Sequence, residues 1–175
     1  DEHIRMHRFE RFVCLTSEDA RAWDDEKNRT RYIYNMLPWK NAKQASLDNK
    51  IVVAIGRLDP QKGFDYLIPI WAKVAKLYPD WQLHIYGDGQ ERVLLETLIK
   101  KYNLKDKVIL KGSGHDMTEA YLSSSVLVMT SRFEGFGMVL IEAKMFGIPC
   151  VSYDFPCGPK DIINDGIDGF LIPNG

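Results

Sequence analysis

The sequence predicts an α/β domain built on a doubly wound parallel sheet. From Ile51 onward short apolar runs alternate with longer amphipathic stretches, the pattern of strands joined by helical crossovers. Several runs are almost unbroken in apolar residues, as parallel strands covered on both faces require. The chain has 175 residues, 45% of them hydrophobic, which suffices to bury roughly 70% of the unfolded surface in one core without disulfides or metals.

The strands are expected at Ile51 to Ile55, Gln82 to Tyr86, Val108 to Leu110, Val126 to Met129, Cys150 to Ser152 and Phe170 to Ile172. Between the first two, Phe64, Leu67, Ile68, Trp71, Val74 and Ala75 put one apolar stripe on a helix that Tyr78 and Pro79 end. A second helix is expected from Gln90 to about Tyr102, through Val93, Leu94, Leu98 and Ile99, and a third from Thr118 to about Leu122. The fourth runs from about Met138 to Phe146, where Gly147 is a stop signal and Pro149 lies just beyond. A short fifth sits near Lys160 to Asn164. Parallel strands need such crossovers, and these connections are right-handed.

Residues 1–50 join the alternation less cleanly. Arg8 to Thr16 can end in a strand, Ser17 can cap a helix through Trp23, and Arg31 to Tyr34 can form another short strand. The expectation is a linker or the edge of a neighbouring domain, with the polar stretch Lys40 to Lys50 leading into the first main strand. The chain starts at Asp1 and stops at Gly175 in a turn-like sequence, which suggests a piece of a longer protein.

A net charge of −1 with 27% charged residues argues against a disordered tail and against binding nucleic acid by bulk charge. Cys14, Cys150 and Cys157 are odd in number and widely spaced, which fits reduced thiols in a cytosolic protein. No stretch approaches the roughly 18 apolar residues of a membrane span, and no apolar signal region is seen. His3, His7, His84 and His115 are scattered and suggest no metal cluster. His84 on a strand reads as structural, whereas His115, in a Gly-rich loop, can reach a ligand. Trp23, Trp39, Trp71 and Trp81 read as packing.

In an open parallel sheet ligands bind beyond the carboxyl ends of the strands. Four loops there are rich in glycine: Gly56 to Gly63, Gly87 to Gly89, Gly112 to Gly114 and Glu134 to Gly137. Glycine lets backbone N–H groups approach a ligand, and a helix start favours anions. Arg57 and Lys62 can neutralise a diphosphate, Arg57 through its fork and Lys62 as a point charge. The loop matches neither the Walker pattern nor the dinucleotide fingerprint. The most informative segment runs from Arg132 to Ala143. Glu134 lies in a loop and Glu142 about a turn inside the next helix, so a helix start and two carboxylates can surround one ligand. The N–H groups suit a phosphate, and an ionised carboxylate suits the vicinal hydroxyls of a ribose or a pyranose. Met138 and Val139, at that helix start, are candidates for selectivity.

These segments, together with Gly147 to Pro149 and Gly166 to Ile172, resemble the retaining glycosyltransferases of family 4 (glycosyl transferases group 1), which have the two-domain GT-B fold. The resemblance covers roughly residues 30 to 175. It implies a Rossmann-like, nucleotide-sugar-binding domain over residues 31–175, truncated at its C-terminus, as the C-terminal half of the enzyme. Residues 1–30 would then be the end of the N-terminal acceptor domain or a linker. It further implies that Arg57 and Lys62 are donor diphosphate ligands beside Gly56. Gly135, Phe136, Gly137, Met138 and Val139 form a backbone cradle, Glu134 contacts sugar hydroxyls and Glu142 the ribose. The catalytic set is thus Arg57, Lys62 and Glu134. The loops after Tyr86 and Leu110 border the nucleobase.

The implied reaction transfers a sugar from a nucleotide diphosphate donor to an acceptor hydroxyl with retention, without a metal or other cofactor. Arg57, Lys62 and the helix start would stabilise the departing diphosphate, while Glu134 positions the sugar rather than acting as a glycosidase nucleophile. Implied partners are the nucleotide-sugar donor and a glycan or lipid-linked acceptor bound by the other half, with no nucleic acid. The placement is cytoplasmic, with peripheral membrane association of the full-length protein, and the fragment alone is expected to be inactive. Thr130 and Ser131 stand where the family often has Pro and Ser. Asp161 stands for Glu in a Gly-Pro-x-Glu-Ile-Ile pattern of members that build bacterial surface polysaccharides. Two other readings share the architecture: a nucleotide-binding module without chemistry, and a GT-B epimerase or phosphorylase. Retention of Arg57, Lys62, Glu134 and Glu142 favours an enzyme, and no lysine stands in context for pyridoxal phosphate.

Overall fold

The computed structural model describes residues 9–23, 29–37 and 42–173. Trp39, His3 and His7 lie outside these residues. Every strand expected from Ile51 onward forms, because each carries apolar residues on both faces of the chain. β3 (Ile51–Ile55), β4 (Gln82–Tyr86), β5 (Val108–Gly112), β6 (Val126–Met129), β7 (Cys150–Asp154) and β8 (Gly169–Pro173) make one sheet in the order β5-β4-β3-β6-β7-β8. All its neighbours pair in parallel, Val53 standing opposite both His84 and Leu127. The strand order reverses between β3 and β6, and there the crevice beyond the strand ends opens.

The helices fall on both faces. α2 (Phe64–Leu77) and α3 (Arg92–Lys101) cover one side, where Phe64, Leu67, Ile68, Trp71, Leu95 and Ile99 pack on Val52, Ala54, Leu83 and Ile85. Trp71 is buried as expected, and its indole N–H donates to the Lys107 carbonyl at 3.0 Å. α4 (Met117–Leu122), α5 (Met138–Met145) and the single turn α6 (Pro159–Ile162) cover the other side. Ala120, Tyr121, Leu140, Ala143 and Phe146 pack there on Val53, Leu127, Met129 and Cys150. On the α2 side the cover thins towards β8, leaving Phe170 57% and Ile172 42% exposed. No helix among the described residues is long and apolar enough to cross a membrane.

The described residues of the N-terminal segment form short elements of their own, close to where the sequence suggests them. β1 (Phe12–Cys14) and β2 (Thr30–Tyr32) pair in parallel around α1 (Ser17–Ala22), as a small unit outside the main sheet. The helix cap is Thr16 rather than Ser17: Thr16 is extended, and its hydroxyl accepts from the Asp19 N–H at 3.0 Å. Ser17, the first helical residue, turns instead to Asp161, which accepts from its N–H at 2.9 Å and from its hydroxyl at 2.7 Å. Cys14, Cys150 and Cys157 are free thiols. Burial pushes the Cys150 thiol up to about 12, as for an inert structural cysteine.

Candidate functional site

β3 ends at Ile55, and the chain turns through Gly56 into a single 3-10 turn, Pro60–Lys62. Asp59 caps that turn by accepting from the Lys62 N–H at 3.3 Å, and Pro60 opens it. Gly63, at φ 66°, then hands the chain to α2; a Cβ there would lie 2.1 Å from the Thr130 carbonyl oxygen. The end of β6 is therefore pressed against the turn that carries Lys62. Polar contacts complete the seam. The Thr130 hydroxyl donates to the carbonyls of Lys62 and Gly63, the Arg132 N–H donates to the Gln61 carbonyl at 2.8 Å, and Gln61 Nε2 donates to the Phe133 carbonyl at 3.0 Å. Arg132 also forks onto Asp65 at 3.0 and 2.7 Å, with its guanidinium 4.0 Å from the Tyr66 ring centre.

This seam brings together residues 72 positions apart: Lys62 Nζ donates to Glu134 Oε1 at 2.6 Å. Both are largely buried, at 17% and 11% side-chain exposure. The Ser131 hydroxyl donates to the same oxygen at 2.7 Å. Among the described residues Glu134 Oε2 has no partner, so one oxygen is fixed by protein and the other is available. Gly56 permits this arrangement, since a Cβ would lie 2.9 Å from the Lys62 side-chain carbons.

The remaining expected residues are placed as follows. Arg57 points to its own loop: its side chain is 74% exposed and its guanidinium reaches Asp59 at 3.0 Å and Gln61 at 3.4 Å. Gly135 is exposed, with nothing within 4 Å of where a Cβ would sit. Phe136 is 4% exposed and stacks on Tyr34 at 5.7 Å, so it offers a ligand its backbone and not its ring. Gly137 caps α5 at φ 84° with no side-chain hydrogen bond, which leaves the first-turn N–H groups of Met138 and Val139 for an anion. Glu142, half-buried on α5, accepts from the Tyr121 hydroxyl at 2.6 Å through Oε2. His115 is exposed in the loop after β5, edge-on to the Tyr86 ring at 5.5 Å. His84 is half-buried, and burial followed by Lys111 lowers its pKa.

The Gly87 to Gly89 loop packs closely on the chain that follows β3. A Cβ on Gly87, at φ 139°, would lie 1.8 Å from the Gly56 carbonyl oxygen. That loop braces the Lys62 turn from behind. Next to it Glu91 keeps one carboxylate oxygen buried without a partner among the described residues; burial, then Asp65 and Asp59, raise its pKa against the pull of Arg132. No group of three or more His, Cys, Asp or Glu side chains among the described residues is arranged to hold a metal ion. Sequence reasoning overlooked Tyr121, Tyr34 and the Thr130 and Arg132 seam. Their partners lie on other elements, and no local pattern marks them.

The arrangement, a buried lysine–carboxylate pair and an open helix start at the sheet's switch point, suits an anionic, polyhydroxylated ligand. The family profile described as glycosyl transferases group 1 matches residues 35–175. The chain belongs to this family. It is 38% identical over 97% of its length to an uncharacterised glycosyltransferase of Haemophilus influenzae, of which it covers 49%. Over 69% of its length it is 44% identical to the amylovoran biosynthesis glycosyltransferase AmsD of Erwinia amylovora, covering 33% of that protein. Among solved structures TarM superposes on 99% of the chain with a TM-score of 0.90 and 30% identity, the chain covering 35% of TarM. The chain thus spans about half or less of the relatives it matches. This glycosyltransferase domain has the Rossmann-like architecture of GT-B enzymes.

Proposed function

We propose that this domain is the donor-binding, C-terminal half of a retaining glycosyltransferase that takes a nucleotide-diphosphate sugar. The observation that carries the reading is the largely buried Lys62–Glu134 pair at the switch point, in which Glu134 shares its strand-loop-helix segment with the uncapped start of α5 and Glu142. The solved relative GtfA was crystallised with UDP and GlcNAc, which supports a nucleoside diphosphate as the ligand here.

On this reading the diphosphate competes with Glu134 for Lys62 Nζ and receives the N–H groups of Met138 and Val139. Arg57, whose side chain is 74% exposed, leaves Asp59 to meet the outer phosphate. As the sugar–phosphate bond breaks, negative charge grows on the departing diphosphate, and these positioned donors stabilise it. Glu134, held at one oxygen, accepts sugar hydroxyls at the other, and Glu142 does the same for the ribose. The acceptor hydroxyl comes from a glycan or lipid-linked chain bound by the other half of the enzyme, which works in the cytoplasm at the membrane's inner face. Relatives named for amylovoran and for poly(ribitol-phosphate) favour a bacterial surface polysaccharide as the product.

Calorimetric titration with UDP, GDP and ADP, and with UMP as control, tests the reading. One diphosphate is expected to bind saturably. Lys62→Ala is expected to weaken it about ten- to a hundredfold, the size of a lost charged hydrogen bond, and Glu142→Ala by a similar factor. A folded chain that takes none of the three overturns the reading.

A further inference from the structure

Glu142 lies on α5 and Tyr121 on α4, 21 residues earlier. The hydroxyl of Tyr121 meets Glu142 Oε2 at 2.6 Å, a short charge-assisted bond. Tyr121 is itself fully buried, and its ring stacks on Phe146 with centres 5.1 Å apart and planes at 17°. Its place is fixed by packing before any ligand arrives. Burial, and then the carboxylate of Glu142, raise the phenol's pKa, so it remains a donor through the whole physiological range.

A glutamate carboxylate rotates broadly about its last torsion. A phenol that occupies Oε2 removes that freedom. Glu142 Oε1 has no hydrogen bond among the described residues, so the fixed carboxylate presents that oxygen's lone pairs to a ligand. Two vicinal hydroxyls are the donors such an oxygen suits.

We infer that Tyr121 is the positioning residue for Glu142, holding its carboxylate in the plane that receives the ribose diol of a nucleoside diphosphate. The inference rests on the donor-binding reading above and adds a residue that touches no ligand. Tyr121→Phe keeps the ring and its stacking, and removes only the hydroxyl.

The test titrates the chain, Tyr121→Phe, Glu142→Ala and the double variant with the nucleoside diphosphate that binds and with its 2′,3′-dideoxy counterpart. Thermal melts confirm that each variant is folded. Tyr121→Phe is expected to weaken the ribose form about tenfold, the loss of one hydrogen bond to a charged group, and to leave the dideoxy form unchanged. Added to Glu142→Ala, which leaves the phenol no carboxylate to hold, it is expected to cost nothing more. Equal binding of the ribose form by wild type and Tyr121→Phe overturns the positioning role. So does an equal loss for both ligands, which is the mark of a structural role alone. A wild-type chain that binds no diphosphate overturns the donor-binding reading itself, and this inference with it.

Discussion

Between Gly56 and Gly63 the chain meets residues 130–134 through backbone in van der Waals contact, a buried hydroxyl shared by two carbonyls, and a lysine–carboxylate pair. Between Thr16 and Tyr34 the described residues meet the domain at its rim, through contacts that include Ser17 on Asp161, Glu18 on the Cys157 N–H at 2.9 Å, and Tyr34 on Phe136. The crevice is over-determined, whereas the N-terminal unit leans on it. Exposure shows the same contrast, with Ala54 and Leu58 at 0% beside the crevice against Val13 at 53% and Ile33 at 65% in the unit. One short helix can cover only one face of a two-stranded parallel pair, so the unit's remaining apolar side chains have nothing described to pack on. The difference teaches where function can be pre-organised. Lys62 and Glu134 sit on backbone that cannot drift, and Phe136 of the cradle is the point where the looser region touches the site.

The largest effect is expected from adding a methyl to the seam. Gly63→Ala puts a Cβ into the Thr130 carbonyl at a left-handed φ, and urea melts should show a loss of about 3–5 kcal/mol. Gly166 has a similar φ of 74° with nothing within 4 Å, so Gly166→Ala should cost only about 1–2 kcal/mol. Equal costs would break the contrast.

Next is Lys62→Ala, which leaves the Glu134 carboxylate, 11% exposed, with Ser131 as its remaining donor. The expected loss is about 2–3 kcal/mol, below the figure for a fully buried pair because both groups keep some water. Glu134→Ala on that background should restore part of it, as a double-mutant cycle in urea would show.

A smaller effect follows pH. The folded pKa of His84 is lowered by burial and then by Lys111. Its neutral form therefore contributes stability that is complete above the unfolded pKa, about 6.5, and is lost as pH falls through the folded value. Calorimetric melting temperatures should decline as the pH falls below about 6.5, and His84→Gln should flatten that slope.

The smallest global effect belongs to the N-terminal unit. Ser17→Ala removes one hydroxyl bond to Asp161 and should lower the cost of local opening by about 1 kcal/mol. Amide exchange across residues 12–22 should quicken about fivefold while β3 and β6 stay as they were. Faster exchange in β3 as well would mean that the two regions open together.

The main strands were legible because a parallel strand buried on both faces leaves a continuous apolar run, as Ile51 to Ile55 and Val126 to Met129 do. β1 and β2, three residues each, are too short to show any period, and a capping hydroxyl at Thr16 looks in sequence like one at Ser17. Glu134 and Glu142 stood out because both belong to one strand-loop-helix segment. Tyr121 did not, since its partner lies on another helix.

The sequence by itself determined the alternation of strands and helices, the glycines of the loops beyond the strand ends, and the charged residues placed among them. These are local properties, written in the spacing of apolar side chains and in the few residues that tolerate special backbone angles. Only the tertiary structure decided that Lys62 and Glu134 meet, that Arg57 faces Asp59 instead, and that Gly87 serves a neighbouring carbonyl. It also decided that a phenol holds Glu142. Contacts between elements depend on which strands lie side by side, and the order that placed β6 next to β3 brings together residues that no spacing along the chain relates.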